Sequence, residues 1–198
     1  METYYHGSSY IFHQFDLEYL LKGNARMRFG AGFYLSNRYK RAAHYSCKGG
    51  NATEFYVYTV EIPDLTDDNC IKYVHPVSSS IIQRAGEKLG EPIPQEYTSR
   101  GDDFRKYIIR KLTGKRESEK LTPADEMVAA DFLVKIGVFF NKVPFIWTKP
   151  DEHYDIIAME PKVIHIQKLE KVDLAIDKKT KKLELVEGSE KEVPLDSF

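Results

Sequence analysis

The chain has 198 residues, 42% hydrophobic and 13% aromatic, enough to bury one sizeable core but short for two, so a single domain is expected. Its 29 basic and 30 acidic side chains nearly cancel, which excludes the global field of a nucleic-acid or membrane-surface binder and leaves room only for a local patch. The opening Met-Glu-Thr-Tyr-Tyr-His lacks the basic and apolar regions of a leader, and no apolar run approaches the roughly 18 residues that cross a bilayer, so a cytoplasmic protein without a membrane partner is expected. Cys47 and Cys70 have no paired Cys/His spacing around them, which argues for reduced thiols and against a disulfide scaffold or a metal site.

Taken in chain order, Tyr4 to Ser9 reads as a short aromatic strand running into a Gly-Ser-Ser turn, followed by a short helix or turn over Phe15 to Leu21 that Gly23 ends. Ala25 to Gly32 is a basic, glycine-rich loop leading into a strand at Phe33 to Ser36. Asn37 is placed to cap a helix over Arg38 to Tyr45, stopped by Gly49-Gly50-Asn51. Glu54 to Ile62, rich in β-branched and aromatic residues and closed by Pro63, is the clearest strand in the chain. From Pro76 to Pro123 the texture becomes polar and insert-like, with helices over Ser80 to Leu89 and Phe104 to Leu112. Met127, Ala130, Leu133 and Val134 then recur at helical spacing over Ala124 to Ile136, ending at Gly137. Short apolar pieces follow at Val138 to Phe140, Phe145 to Trp147, Tyr154 to Met159 and Val163 to Ile166, separated by turn residues that include Asn141-Lys142. They suggest a small antiparallel sheet. Val172 to Ile176 and Leu183 to Val186 read as a hairpin around Asp-Lys-Lys-Thr-Lys-Lys, and the charged end after Gly188 as loose chain.

Three places carry residues unusual for their positions: Tyr5-His6-Gly7-Ser8-Ser9; Phe29-Gly30-Ala31-Gly32-Phe33-Tyr34-Leu35-Ser36 leading to Ala42-Ala43-His44-Tyr45-Ser46; and Tyr154-Asp155-Ile156-Ile157-Ala158-Met159-Glu160-Pro161. In this order and on these elements they resemble the three signature blocks of the His-Tyr-Glu class of ADP-ribosyltransferases, the poly(ADP-ribose) polymerase and diphtheria-toxin type. The resemblance runs through Tyr4 to Ile62 and again through Ala129 to Leu169. It implies an α+β fold of two packed, mainly antiparallel sheets around an NAD cleft, a catalytic domain over residues 1–170 with a helical insert at 76–123, and a C-terminal hairpin and charged tail at 171–198.

It also implies roles. NAD⁺ is the substrate rather than a resident cofactor. Gly7 would offer its backbone to the nicotinamide carboxamide, His6 would donate to a ribose hydroxyl with Ser8 or Ser9 adding a contact, and Tyr34 and Tyr45 would sandwich the nicotinamide ring. Arg26 or Arg28 would meet the dinucleotide phosphates. By register with the family's Glu-Tyr-Val-Val-Phe-Asp-Pro pattern, Asp155 stands where the family carries its catalytic Glu, stabilising the oxocarbenium-like sugar as nicotinamide leaves. Aspartate is one methylene shorter, so either the strand sits closer, Glu152 or Glu160 takes the role, or the activity is weakened; single transfer is favoured over chain elongation. His6, Tyr34 and Asp155 are thus the expected catalytic residues, and no metal is implied.

Each position also has a plainer explanation: a structural hydrogen bond at His6, core packing at Tyr34 and Tyr45, a turn at Asp155. Gly30-Ala31-Gly32 precedes a strand rather than opening a helix, which disfavours a Rossmann dehydrogenase. The expected function is mono-ADP-ribosyl transfer to a protein or nucleic-acid acceptor, by analogy as a toxin of a toxin–antitoxin or phage-defence system with an antitoxin partner. The alternatives are a catalytically inactive NAD or ADP-ribose sensor, an NAD⁺ hydrolase, and a nucleic-acid-binding accessory protein that uses the basic run Arg105-Lys106, Arg110-Lys111 and Lys115-Arg116.

Overall fold

A computed structural model of the chain describes residues 1–20, 27–47, 53–179 and 183–196. In chain order its strands are β1 (Glu2–Ser8), β2 (Phe33–Ser36), β3 (Phe55–Ile62), β4 (Cys70–Lys72), β5 (Phe140–Pro144), β6 (Tyr154–Ala158), β7 (His165–Val172), β8 (Leu174–Ile176), β9 (Leu183–Leu185) and β10 (Lys191–Glu192). Its helices are α1 (Tyr39–Ser46), α2 (Ser79–Leu89), α3 (Gly101–Thr113) and α4 (Pro123–Lys135). They divide between two compact units, one built from Met1–Ala25, Tyr34–Asp64 and Pro161–Phe198, the other from Arg26–Phe33 and Leu65–Glu160.

In the first unit the strands run in the order β10-β7-β3-β1-β2, every pairing antiparallel. β3 lies between β1 and β7, pairing Tyr58 with His6 on one side and with Leu169 on the other, as its apolar run requires of a strand buried on both faces. Tyr4, Leu35, Val57, Val60, Ile62 and Leu169 form the apolar interior. Helix α1 lies on β1 and β3 through Ala42, Ala43 and Ser46, residues small enough for close approach to the sheet. β8 and β9 form a separate two-stranded sheet, with Leu174 opposite Leu185.

The second unit has β4 parallel to β5 and β5 antiparallel to β6, with α3 against α4. Phe104, Ile108, Ile109, Leu133, Phe140 and Ile156 are fully or almost fully buried here, each such side chain worth about 1.5–3 kcal/mol. Helix α4 starts with a capping box: the Thr122 hydroxyl accepts from the Asp125 amide, the Asp125 carboxylate accepts from the Thr122 amide, and Pro123 occupies the first turn. Its end at Gly137 (φ 79°) satisfies the left-handed turn that an L side chain resists. The chain is therefore mixed α+β, with parallel and antiparallel pairing.

Several elements differ from the reading of the sequence. Helix α1 begins after Arg38, not Asn37, and Arg38 makes no side-chain cap bond; the buried Ala42-Ala43 face, rather than a cap, fixes the helix. Asn141 and Lys142 lie within β5 instead of turning, because each finds partners there. Asn141 donates to the Phe29 carbonyl, while the Lys142 ammonium stands 4.0 Å over the Tyr154 ring and 3.0 Å from Asp151. Phe145 to Trp147 is a bend, since Pro144 ends the strand. β4 and β10 were not anticipated; β10 pairs with β7 through a stretch expected to be loose. Arg26, the stops at Gly23 and at Gly49 to Asn51, and Thr180 to Lys182 of the C-terminal hairpin lie outside the described residues. Among the described residues no helix is long and apolar enough to cross a membrane.

Candidate active site

Side chains alternate along β1, so His6 and Gly7 face opposite ways. The His6 ring meets the edges of Phe15 and Phe12, at 5.2 and 6.0 Å between centroids, and lies 6.3 Å from Tyr58. Tyr58 fixes this aromatic nest by accepting from the Phe12 amide at 2.7 Å. Burial lowers the His6 pKa below its ordinary 6.5, against the upward pull of the Tyr34 carbonyl, so the ring is neutral at pH 7. That carbonyl lies 3.0 Å from Nδ1 and can only accept, which puts the single proton on Nδ1 and leaves Nε2 as the acceptor. A hydroxyl meeting Nε2 would therefore donate to His6, the reverse of the polarity expected from sequence.

On the other side of β1, a Cβ on Gly7 would stand 1.8 Å from the Ala42 carbonyl oxygen and 2.8 Å from the Ser46 amide nitrogen. Helix packing thus requires glycine here, a reason independent of any ligand. The Ser8 hydroxyl donates to the Tyr10 carbonyl at 2.8 Å and accepts from the Tyr10 amide at 3.0 Å, forming a local turn. Tyr45, on α1, accepts from Arg41 at 2.6 Å, and the same guanidinium lies 4.7 Å over its ring. One route to the Tyr45 π-face is therefore occupied by Arg41. Tyr34 is half-buried on β2, its backbone held by His6.

The remaining expected residues belong to the second unit. Asp155 is buried in β6 opposite Val143, and Arg28 is exposed in the turn where the Gly30 amide bonds the Met27 carbonyl. Of the alternative carboxylates, Glu152 sits on an exposed turn paired with Lys149 at 2.9 Å, and Glu160 is half-buried just after β6. The structure thus gathers His6, Gly7 and Tyr34 around one strand end of the first unit, and puts Asp155 and Arg28 on the second.

Sequence reading missed a buried ionic cluster. Arg105 pairs with Glu126 and, at 3.3 Å, with Asp102, which also holds Lys106 at 2.6 Å. Burial would raise the Asp102 pKa, but Lys106 and the Tyr73 hydroxyl more than offset it and the net shift is downward; burial pushes Glu126 upward despite Arg105. The signal was present: Phe104, Arg105, Ile108 and Ile109 share the helical period of a buried face. The other basic residues of that run are engaged too, Lys111 with Glu91, Lys115 with Asp125 and Arg116 with Glu119. A pocket of about 310 Å³ elsewhere in this unit is lined by Asp67, Lys72, His75, Ser78 and Asp151, where Lys72 neutralises Asp67; it contains none of the expected residues. Among the described residues no group of three His, Cys, Asp or Glu side chains is arranged to hold a metal.

Compared with known protein families, curated proteins and solved structures, the chain matches none.

Proposed function

We propose that the chain is a mono-ADP-ribosyltransferase that takes NAD⁺ as substrate, releases nicotinamide and passes ADP-ribose to a macromolecular acceptor. The observation that carries this reading is the hydrogen bond from His6 to the Tyr34 carbonyl, which joins two sequence blocks 28 residues apart. A neutral imidazole in that tautomer suits the positioning of a ribose hydroxyl and is poorly suited to acid catalysis.

On this reading the glycosidic bond between the ribose C1′ and the pyridinium nitrogen breaks, with the electron pair leaving on nicotinamide. The acceptor's nucleophile adds at C1′ and gives up its proton. Asp155 supplies the negative charge that stabilises the oxocarbenium-like sugar, Tyr34 stacks on the departing ring, and Arg28 meets the pyrophosphate. The toxin setting and an antitoxin partner follow by the same analogy. One observation favours the second reading, a non-catalytic NAD or ADP-ribose sensor: Asp155 is both short and buried. The nucleic-acid accessory reading gains nothing from α3, where Arg105, Lys106 and Lys111 are paired with carboxylates.

The test is incubation with NAD⁺ labelled on the adenylate, with cell lysate, total RNA and single-stranded DNA as separate acceptors. Label moving onto one acceptor class, and lost in both His6→Ala and Asp155→Ala, is the expected result. Nicotinamide release without labelled macromolecule would indicate hydrolysis, and NAD⁺ binding without turnover would replace the transferase by the sensor.

A further inference from the structure

The loop that carries Arg28 is gripped by a residue the functional reading does not use. Asn141, 3% exposed in β5, donates from Nδ2 to the Phe29 carbonyl at 2.8 Å. Among the described residues its Oδ1 has no hydrogen-bond partner, and neither has Nε of Arg105, itself 4% exposed. Both side chains flank Gly30, where a Cβ would lie 3.7 Å from Asn141 Nδ2 and from Arg105 Cδ. Two residues on, Gly32 has φ 152°, and a Cβ there would stand 2.6 Å from both the Ala158 carbonyl oxygen and Ile157 Cγ2. The Phe29–Gly32 segment therefore lies against β5, β6 and the Arg105 stem, with no room for a Cβ at Gly32 and, at Gly30, a φ of 122° that L side chains resist.

Such a buried amide, met on one side only, costs stability that an apolar residue in the same strand would not. Breaches of this kind concentrate where function demands them, and the group the Asn141 side chain holds is the Phe29 carbonyl of the loop. We infer that Asn141 is a positioning residue for dinucleotide binding: by clamping the Phe29 carbonyl it fixes the backbone beside Arg28 and sets where that guanidinium meets the pyrophosphate. The inference rests on the transferase reading. Arg28 contributes binding in ground and transition states alike, so loosening its anchor raises KM and spares kcat.

The experiment measures nicotinamide release against NAD⁺ concentration for the wild-type chain, Asn141→Leu and Asn141→Ser, with amide hydrogen exchange on the same proteins. The expected result is a KM about tenfold higher in both variants and kcat within twofold of wild type. Exchange at Gly30 to Gly32 should be about tenfold faster while β6 stays protected. Wild-type turnover with KM unshifted in the folded variants overturns the inference and leaves the transferase standing. Absence of wild-type turnover overturns both. Failure of both variants to fold makes Asn141 a purely structural residue and overturns the inference too.

Discussion

At the scale of single residues, His6 links stability to pH. Its folded pKa lies below the ordinary 6.5, so the unfolded chain binds the proton more readily. The contribution is fully present above the unfolded value and is lost as pH falls from there toward the folded one. The Tm of the wild-type chain should drop between pH 7.5 and 5, and His6→Gln, which cannot titrate, should flatten that part of the curve; parallel profiles would contradict the assignment. Cys70 gives a second residue-scale prediction. Burial pushes its thiol up to about 12 and shields it from reagent, so alkylation at pH 8 should mark the half-exposed Cys47 first. Equal labelling of the two cysteines in the folded protein would contradict this.

Elements are held by a few contacts that can be cut one at a time. Gly7→Ala drives a methyl group into the Ala42 carbonyl and must lift α1 from the sheet; a loss of at least about 3 kcal/mol in denaturant unfolding is expected. Arg105→Met leaves Asp102 and Glu126 buried without their shared cation and should lose about 3–5 kcal/mol. Thr122→Ala removes one half of the capping box and should lose about 1 kcal/mol. These elements were legible in sequence to differing degrees, for physical reasons. β3 and α4 announce themselves through an unbroken apolar run and through apolar spacing closed by Gly137. β4 and β10, three and two residues long, owe their existence to the partners β5 and β7 and carry no pattern of their own. β5 was misplaced because Asn141 and Lys142 look like turn residues until their distant partners are known.

For the molecule as a whole, the α+β class and the strand that carries His6 could be read in advance, whereas the ring's surroundings could not, since Phe12, Phe15, Tyr58 and the Tyr34 carbonyl reach it only through the fold. The division of the chain between two units could not, because it depends on which distant segments pack together. The same applies to the basic run of α3: residue types suggested a phosphate-binding flank, whereas geometry gives Arg105 and Lys106 to Asp102 and Glu126. At Gly7, which the resemblance assigns to the nicotinamide, the packing of α1 is by itself sufficient to require glycine.

The central claim, that this chain breaks the glycosidic bond of NAD⁺, is tested most directly by following nicotinamide release from NAD⁺ with purified wild-type chain beside Asp155→Asn, which keeps the side chain's shape and removes its charge. The account predicts catalytic release by wild type and a fall of at least about a hundredfold in kcat in the variant, the scale of one lost electrostatic contact in a transition state. Equal release by the two proteins would contradict the role of Asp155, and no release by the wild type in the presence of lysate would contradict the transferase itself.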